Sequence, residues 1–313
     1  MNQLSAAVSS DHDCSIRTIR ARIDARLAEM LAGEDLNTPV SAAMHRGTLP
    51  AGKRVRPILL ILAARDLGHD SAALIDLGCA IEMVHAGSLI VDDLPCMDDA
   101  SLRRGQPTIH RRFGEDVAIL ATVGLLARAF ATVASLEPVD SGVRARLVSC
   151  LPEAVGTQGL VRGQYEDLHE GLRARSASAI TTTNELKTGV LFSATLHMAG
   201  LIAGASEAQQ HNLHRFAIEL GHSFQLLDDL TDGEPDTGKD ANKDLGKSTL
   251  VGLLGAEAAR QQLVGHLTRA DAWLTRVYGA DGQVSRYIRS LFAAALPAPQ
   301  QSSRAYFHDG GIR

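Results

Sequence analysis

The chain has 313 residues, of which 45% are hydrophobic and 21% charged, and this composition excludes disorder over most of the length. Its 31 lysines and arginines against 36 aspartates and glutamates give a formal charge of −5, so the chain lacks the positive charge typical of nucleic-acid-binding proteins. The length would allow two domains, but no linker rich in proline, glycine and serine divides the chain, which favours one.

Apolar residues at steps of three and four, beginning at Ile16 and again at Leu213, predict two amphipathic helices. Residues 153–234 contain no proline, so this region can hold several uninterrupted helices. No stretch shows the alternation typical of a β-strand, and we therefore predict an all-α fold, a single-domain helical bundle. The other predicted helices, in chain order, span 72–92, 116–136, 141–169, 178–203, 249–277 and 283–296.

The segment 117–127 is apolar on every face, which predicts a helix at the centre of the bundle or across a subunit contact. It is shorter than the ~20 residues that a membrane span needs, so we expect none. Residues 232–248 are charged and rich in glycine, which indicates a long functional loop. We expect a disordered segment over 1–12, a helical domain over 13–296 and a flexible tail over 297–313.

The 4 cysteines are too few and too irregularly spaced for a disulfide framework or a CxxC metal site. The N-terminus shows neither the basic region nor the apolar region of a secretory signal. We therefore expect a reduced, cytoplasmic setting.

Two clusters of aspartates each end an apolar helical segment. Like charges there are unfavourable, because the helix dipole disfavours anions at its C-terminus, and a bound cation would offset them. Oxygen ligands without a histidine or cysteine set select a hard ion such as Mg²⁺. A solvated helix end is the alternative for either cluster alone. The first cluster, in DDLPCMDD, comprises Asp92, Asp93, Asp98 and Asp99, and the second, in FQLLDDLTD, comprises Asp228, Asp229 and Asp232.

Basic residues complement these clusters. His85 lies seven residues before Asp92 on the same helix face, which suggests a ligand role, although a lone histidine on an apolar helix is more often a core residue. Arginine suits phosphate oxygens, while the alternative for each pair is a surface salt bridge. Residues 241–248 nearly fit a phosphate-binding loop, but Ala241 replaces the first glycine. The basic candidates are Lys53, Arg56, Arg103, Arg104, Lys187, Lys239, Lys243 and Lys247, of which Lys243 is interpreted as solvated surface.

Between Gly52 and Ala259 the chain resembles the trans-isoprenyl diphosphate synthases, and closely the geranylgeranyl diphosphate synthases of bacterial carotenoid pathways. Each motif alone is weak, but their order and spacing are specific. The motifs are GKRVRP at 52–57, DDLPCMD at 92–98, LRRG at 102–105, GQYEDL at 163–168, KTG at 187–189, FQLLDDLTD at 224–232 and GKDANKDLGKST at 238–249.

The resemblance implies an all-α prenyltransferase fold, a homodimer, and several Mg²⁺ ions that Mn²⁺ can replace. Asp92, Asp98 and Asp228 would bind metal directly, and Asp93, Asp229 and Asp232 would support it or bind through water. Gln164 and Asp167 would lie near the reaction centre. The isopentenyl diphosphate site would comprise Lys53, Arg56, His85 and Arg104, and the allylic diphosphate site Arg103, Lys187, Thr188, Gln225, Lys239 and Lys247.

The implied reaction is the head-to-tail condensation of isopentenyl diphosphate with dimethylallyl, geranyl or farnesyl diphosphate, giving geranylgeranyl diphosphate and pyrophosphate for carotenoid biosynthesis. Gly87, five residues before Asp92, would leave the product tunnel open, and Val84 and Met83 would close it one turn deeper. A farnesyl or longer-chain synthase, a terpene cyclase, a metal phosphohydrolase and a catalytically silent partner subunit remain the alternatives.

Overall fold

The computed structural model describes residues 2–32, 37–49, 52–170, 174–231 and 248–293, with side chains from Cys14 onward. Within these ranges it contains fourteen α-helices, one π-helical turn and one two-stranded hairpin. The helices are α1 (Asn2–Ala32), α2 (Pro39–Thr48), α3 (Val55–Asp66), α4 (Ala73–Asp92), α5 (Ile109–Phe113), α6 (Glu115–Ala134), α7 (Ser141–Val155), α8 (Leu160–Glu170), α9 (Ala177–Asn184), α10 (Val190–Ile202), α11 (Glu207–Thr231), α12 (Leu250–Leu254), α13 (Ala256–Tyr278) and α14 (Gln283–Phe292).

The predicted all-α class is confirmed, with one small exception. Strands β1 (Leu102–Arg103) and β2 (Gln106–Pro107) pair antiparallel and form a hairpin directly after the first aspartate cluster. The turn contains Gly105 at φ +72°, a conformation that glycine adopts without strain. Sequence reasoning predicted no strand here, because two residues are too few to show alternation.

Helices α3 and α4 form the centre of the core, and α4 packs against α1, α3 and α6. Eight consecutive residues of α3, from Pro57 to Ala64, are buried. A helix covered on every side needs no polar face, so its sequence carries no helical periodicity. This explains why α3 was not predicted, whereas α4 was predicted to within one residue.

Three segments that the sequence predicted as single helices are divided in the structure, two of them at glycines. The segment 141–169 divides into α7 and α8, because Gly156 and Gly159 allow a tight connection in which a Cβ at Gly159 would lie 2.2 Å from the Ala154 carbonyl oxygen. Gly255, at φ +84°, separates α12 from α13 within 249–277. The segment 178–203 divides into α9, the π-turn Glu185–Gly189 and α10.

Helix α1 begins at Asn2, so its bounds include most of the segment 1–12 that was expected to be disordered. The predicted tail 297–313 and the loop 232–247 lie outside the described residues. The division into tails and a central domain remains a prediction.

Two described helices, α4 and α6, have the length and apolar composition of a membrane span. Helix α4 is 72% buried inside the bundle over its most apolar window, as is common for a core helix of a soluble protein, whereas α6 is 39% buried. The apolar run in 117–127 lies within the 20-residue helix α6, close to the predicted helix 116–136.

Candidate active site

The C-terminal ends of α4 and α11 open onto one cavity of about 410 Å³. Residues of α3, the hairpin, α8, the π-turn and α10 complete its wall. Twelve of the predicted site residues line it: Arg56, His85, Asp92, Asp98, Arg103, Arg104, Asp167, Lys187, Thr188, Gln225, Asp228 and Asp229.

Other predicted site residues lie elsewhere among the described residues. Lys53 is exposed and Gln164 is buried, and neither lines the cavity. Gly87, Val84 and Met83 are buried within α4, also outside the cavity lining. Asp232, Lys239 and Lys247 lie outside the described residues.

The first aspartate cluster is shaped by the turn that follows α4. The Asp98 amide donates to the Asp92 carbonyl (2.9 Å), so the chain curls back and brings both residues to the cavity wall. Burial raises the pKa of Asp92 to about 6, with Asp98 adding to the rise while Lys187 and Arg103 oppose it. The cluster therefore concentrates negative charge where solvent compensates it poorly.

Asp93 occupies a different position from its neighbour. Successive residues of a helix point about 100° apart. Its side chain is buried on the hairpin side and accepts hydrogen bonds from Arg103, with Nε 3.1 Å from Oδ1. The structure thus makes Asp93 a partner of Arg103, and Arg103 still lines the cavity.

Helix α11 and the π-turn form the opposite wall through a chain of polar contacts. The Lys187 Nζ donates to the Asp167 carboxylate (2.7 Å). The Thr188 hydroxyl donates to Gln225 Oε1 (3.1 Å), and Gln225 Nε2 donates to the Asp229 carboxylate (2.8 Å). These bonds fix the polar groups of the π-turn relative to the second aspartate cluster.

Three glycines let the π-turn fit tightly between α8 and α11. A Cβ at Gly163 would lie 2.4 Å from the Lys187 amide nitrogen, and one at Gly221 would lie 2.8 Å from the Gly189 Cα. Any larger residue at Gly163 or Gly221 would displace the backbone that carries Lys187 and Thr188. Such π-turns are frequently found at functional sites.

The remaining wall is cationic. The Arg56 guanidinium lies 4.4 Å above the Phe192 ring and 3.4 Å from His85 Nε2. Burial, reinforced by the charges of Arg56 and Arg104, lowers the pKa of His85 well below its usual value, so its imidazole is neutral at pH 7. Arg104 packs against Gly52, where a Cβ would lie 2.9 Å from its Nη1. This wall can accept an anion.

The donor set fits a hard cation held by both walls together. Among the described residues, no three acidic, histidine or cysteine side chains are close enough to form a metal cage by themselves. Carboxylates on both walls face the same cavity, and Mg²⁺ is usually bound by a few carboxylates together with waters and substrate phosphates. Asp92, Asp98, Asp228 and Asp229 are suited to that arrangement.

The apolar part of the cavity was missed by sequence reasoning. Phe192 and Phe224 stack with ring centroids 4.9 Å apart, and both line the cavity with Leu191. Phe224 lies four residues before Asp228 on one helix face, so its spacing could have indicated this position. The cavity can therefore hold an apolar chain beside its anion-binding groups.

The profile of the family described as "Polyprenyl synthetase" matches residues 37–274. A geranylgeranyl diphosphate synthase of Pantoea ananas is 51% identical over 282 residues, covering 89% of this chain and 93% of that protein. A solved FPP/GFPP synthase of Zymomonas mobilis superimposes with a TM-score of 0.79 at 32% identity, over 90% of this chain and 97% of that one. A geranyltransferase of Helicobacter pylori, solved in complex with magnesium and isoprenyl diphosphate, gives a TM-score of 0.77 at 27% identity, over 89% and 96%.

Proposed function

The chain belongs to the polyprenyl synthetase family, and on that premise we propose that it condenses isopentenyl diphosphate head to tail with allylic diphosphates to give geranylgeranyl diphosphate. One observation carries the proposal: the aspartate-bearing ends of α4 and α11 and a cationic wall face the same cavity. The prenyltransferase class that the motifs predicted is confirmed by the family match and the Pantoea relative.

The two walls suit two diphosphates. Arg56, Arg104 and the neutral His85 would bind isopentenyl diphosphate, His85 as a hydrogen-bonding group without charge. Lys53, which is exposed and does not line the cavity, is proposed as a further contributor. Lys187 and Gln225, together with Arg103, would bind the allylic diphosphate next to the aspartates. Lys239 and Lys247, beyond the described residues, remain predicted contributors.

Mg²⁺, with Mn²⁺ as a substitute, would be held by Asp92, Asp98, Asp228 and Asp229, with Asp232 a further predicted ligand. When bound, the metal neutralises the diphosphate that leaves. The Helicobacter relative was solved with magnesium, which supports this choice of ion.

In the proposed reaction the allylic C1–O bond breaks and the diphosphate leaves with the electron pair. The double bond of isopentenyl diphosphate then attacks C1, and the resulting cation loses a proton to the released diphosphate. The Thr188 hydroxyl donates to Gln225 Oε1, so its oxygen lone pairs can face the developing positive charge. Phe192 and Phe224 exclude water from this end of the cavity. Buried Gln164, which does not line the cavity, would support the reaction centre from behind.

Purified protein supplied with Mg²⁺, labelled isopentenyl diphosphate and, separately, dimethylallyl, geranyl or farnesyl diphosphate tests the proposal. We expect a twenty-carbon diphosphate from each primer. A fifteen-carbon end product would identify a farnesyl diphosphate synthase, and no condensation at all would identify a silent partner subunit. We propose carotenoid biosynthesis as the destination of the product.

Arg103 and Arg104 are expected to serve different substrates. Arg104→Ala should raise the apparent KM for isopentenyl diphosphate by about tenfold, the usual effect of losing a hydrogen bond to a charged group, and should affect the allylic KM less. Arg103→Ala should do the reverse. Equal effects of both variants on both substrates in steady-state kinetics would contradict this assignment.

Gly87 is proposed to control product length. A Cβ at this position would lie 3.5 Å from the Thr122 Cγ2, an ordinary contact, so helix packing does not require glycine here. We propose that the growing chain extends beyond the described cavity between α4 and α6 and is blocked at Val84 and Met83, about 5.4 Å deeper.

Gly87→Tyr should shift the main product from twenty to fifteen carbons with condensation retained, since the ring would fill the α4–α6 contact. Gly87→Ala is the matched control, because a single methyl group fits, and should still give twenty carbons. A folded, active Gly87→Tyr enzyme that still makes the twenty-carbon product would place the chain-length control elsewhere.

We also propose a cytoplasmic homodimer that is not inserted in a membrane. Helix α6 buries one face in the core but exposes Ile119, Leu120 and Val123 by 51%, 54% and 58%. Large apolar side chains grouped on one helix face favour a protein contact. Sedimentation of the purified protein without detergent measures its oligomeric state. We expect a dimer, and a monomer would contradict the proposed dimer.

A further inference from the structure

Arg54 is a buried charge that the proposed chemistry leaves unused. It lies between Lys53 and Arg56, yet its side chain is 1% exposed and does not line the cavity. Its backbone adopts φ +51°, which is unfavourable for a residue with a side chain. A strained, buried arginine beside a candidate anion site calls for a physical explanation.

Three hydrogen bonds hold Arg54 in this conformation. Nε donates to Asp24 of α1 (2.7 Å), Nη1 donates to Glu82 of α4 (2.7 Å), and Nη2 donates to the Leu49 carbonyl oxygen (3.2 Å). Arg54 thus ties the start of α3 to α1 and α4. Because Arg56 is in the first turn of α3, this attachment also determines where Arg56 meets the cavity.

Of the two acidic partners of Arg54, Glu82 is the more unusual, because its side chain is only 4% exposed. It lies one helical turn before His85, beneath the cationic wall. Its charge raises the pKa of Arg56 and of Arg104, partly offsetting the larger lowering that burial causes. The Glu82 carboxylate therefore attracts three arginines, two of which are assigned to the diphosphate.

We propose that Arg54 is a positioning residue. By pairing with buried Glu82, it keeps the guanidinium groups of Arg56 and Arg104 at the cavity wall that is proposed to bind the diphosphate of isopentenyl diphosphate. The inference rests on the proposed function, because it assumes which substrate this wall binds. Without Arg54, the unpaired carboxylate would recruit one of these arginines, since a buried unpaired charge is costly.

Kinetics of single and double variants test this. Arg54→Met removes the charge that pairs with Glu82 and keeps a side chain of similar length. We expect the apparent KM for isopentenyl diphosphate to rise by at least about tenfold, which is a modest loss for a binding group that has been displaced. The allylic KM should change by less than about twofold, since that wall is untouched. Adding Glu82→Gln to Arg54→Met should restore the isopentenyl diphosphate KM to within about threefold of wild type, because the carboxylate that captures the arginines is gone.

Arg26→Met is the matched control. Arg26 also joins α1 to α4, through Asp76 at 2.8 Å, but away from the cavity. This variant should leave both KM values unchanged. Its Tm measures how much stability is lost when an ion pair between α1 and α4 is removed. If Arg54→Met does not fold, Arg54→Lys, which retains one cation for Glu82, should give a smaller rise with the same substrate selectivity.

The results separate the possible roles of Arg54. Equal rises in both KM values, or a double variant no better than the single one, would show that Arg54 only stabilises the fold and would overturn the inference. A wild-type enzyme that does not condense isopentenyl diphosphate would instead overturn the proposed function. Selective loss in Arg54→Met with recovery in the double variant would support positioning.

Discussion

Replacing Asp92 or Asp228 with alanine is expected to lower turnover by about 10³-fold or more, the scale on which enzymes lose rate when transition-state charge is left uncompensated. Both carboxylates face the cavity from opposite walls, so each loss removes one side of the proposed metal site. Steady-state rates at saturating substrates measure the effect. Asp271→Ala is the control: Asp271 lies on α13 in an exposed ion pair with Arg289 of α14, and this variant should retain wild-type turnover.

Replacing Asp92 should not unfold the protein. Burial raises the pKa of Asp92 from 3.8 to about 6, so ionising this residue opposes folding in the absence of metal. That cost is absent below about pH 4 and is fully present above about pH 6. Asp92→Asn should therefore raise the stability of metal-free protein at pH 8 by about 2 kcal/mol, allowing for partial solvent screening, and leave it unchanged near pH 4. A lower Tm for Asp92→Asn at pH 8 would contradict this account of the cluster.

Removing divalent metal should abolish activity altogether. The described cavity places carboxylates opposite one another, and without a cation they would repel the diphosphate that they are proposed to bind. Activity in excess chelator should fall below detection and return when Mg²⁺, or less effectively Mn²⁺, is added beyond the chelator. Because the proposed ligands are all carboxylates, zinc should not be the preferred ion. Full activity in chelator would contradict the metal site.

Sequence reasoning could group the candidate aspartates because these residues are close together in the chain. Asp92 and Asp98 belong to one turn, and Asp228 and Asp229 end one helix. The polarity change at the end of each apolar helix was therefore visible without a structure. Helix α4 was equally accessible, since it leads directly into the first cluster.

Contacts between distant segments were not accessible. The pairing of Lys187 with Asp167 depends on the close packing of the π-turn against α8, which no local pattern records. Asp93 was grouped with Asp92, although its position on the helix directs it to Arg103. Arg54 was passed over within GKRVRP because only the three-dimensional structure shows its buried partner Glu82.

Chain-length control is the least local property of the site. Gly87 was identified by its distance from Asp92, and the structure adds that α6 supplies the facing surface through Thr122 and Leu125. The proposed control of product length therefore involves the α4–α6 contact as a whole. The outer face of α6 carries the exposed apolar side chains of the proposed dimer contact, so the proposed dimer and the proposed tunnel involve the same helix.

The most direct test of the central claim is the stoichiometry of pyrophosphate release, measured together with mass spectrometry of the products. With dimethylallyl diphosphate, isopentenyl diphosphate and Mg²⁺, we expect one pyrophosphate for each isopentenyl diphosphate consumed, geranylgeranyl diphosphate as the product, and no release when isopentenyl diphosphate is omitted. Pyrophosphate released from the allylic substrate alone, with a prenyl alcohol or a cyclic hydrocarbon as the product, would contradict the claim and identify a hydrolase or a cyclase.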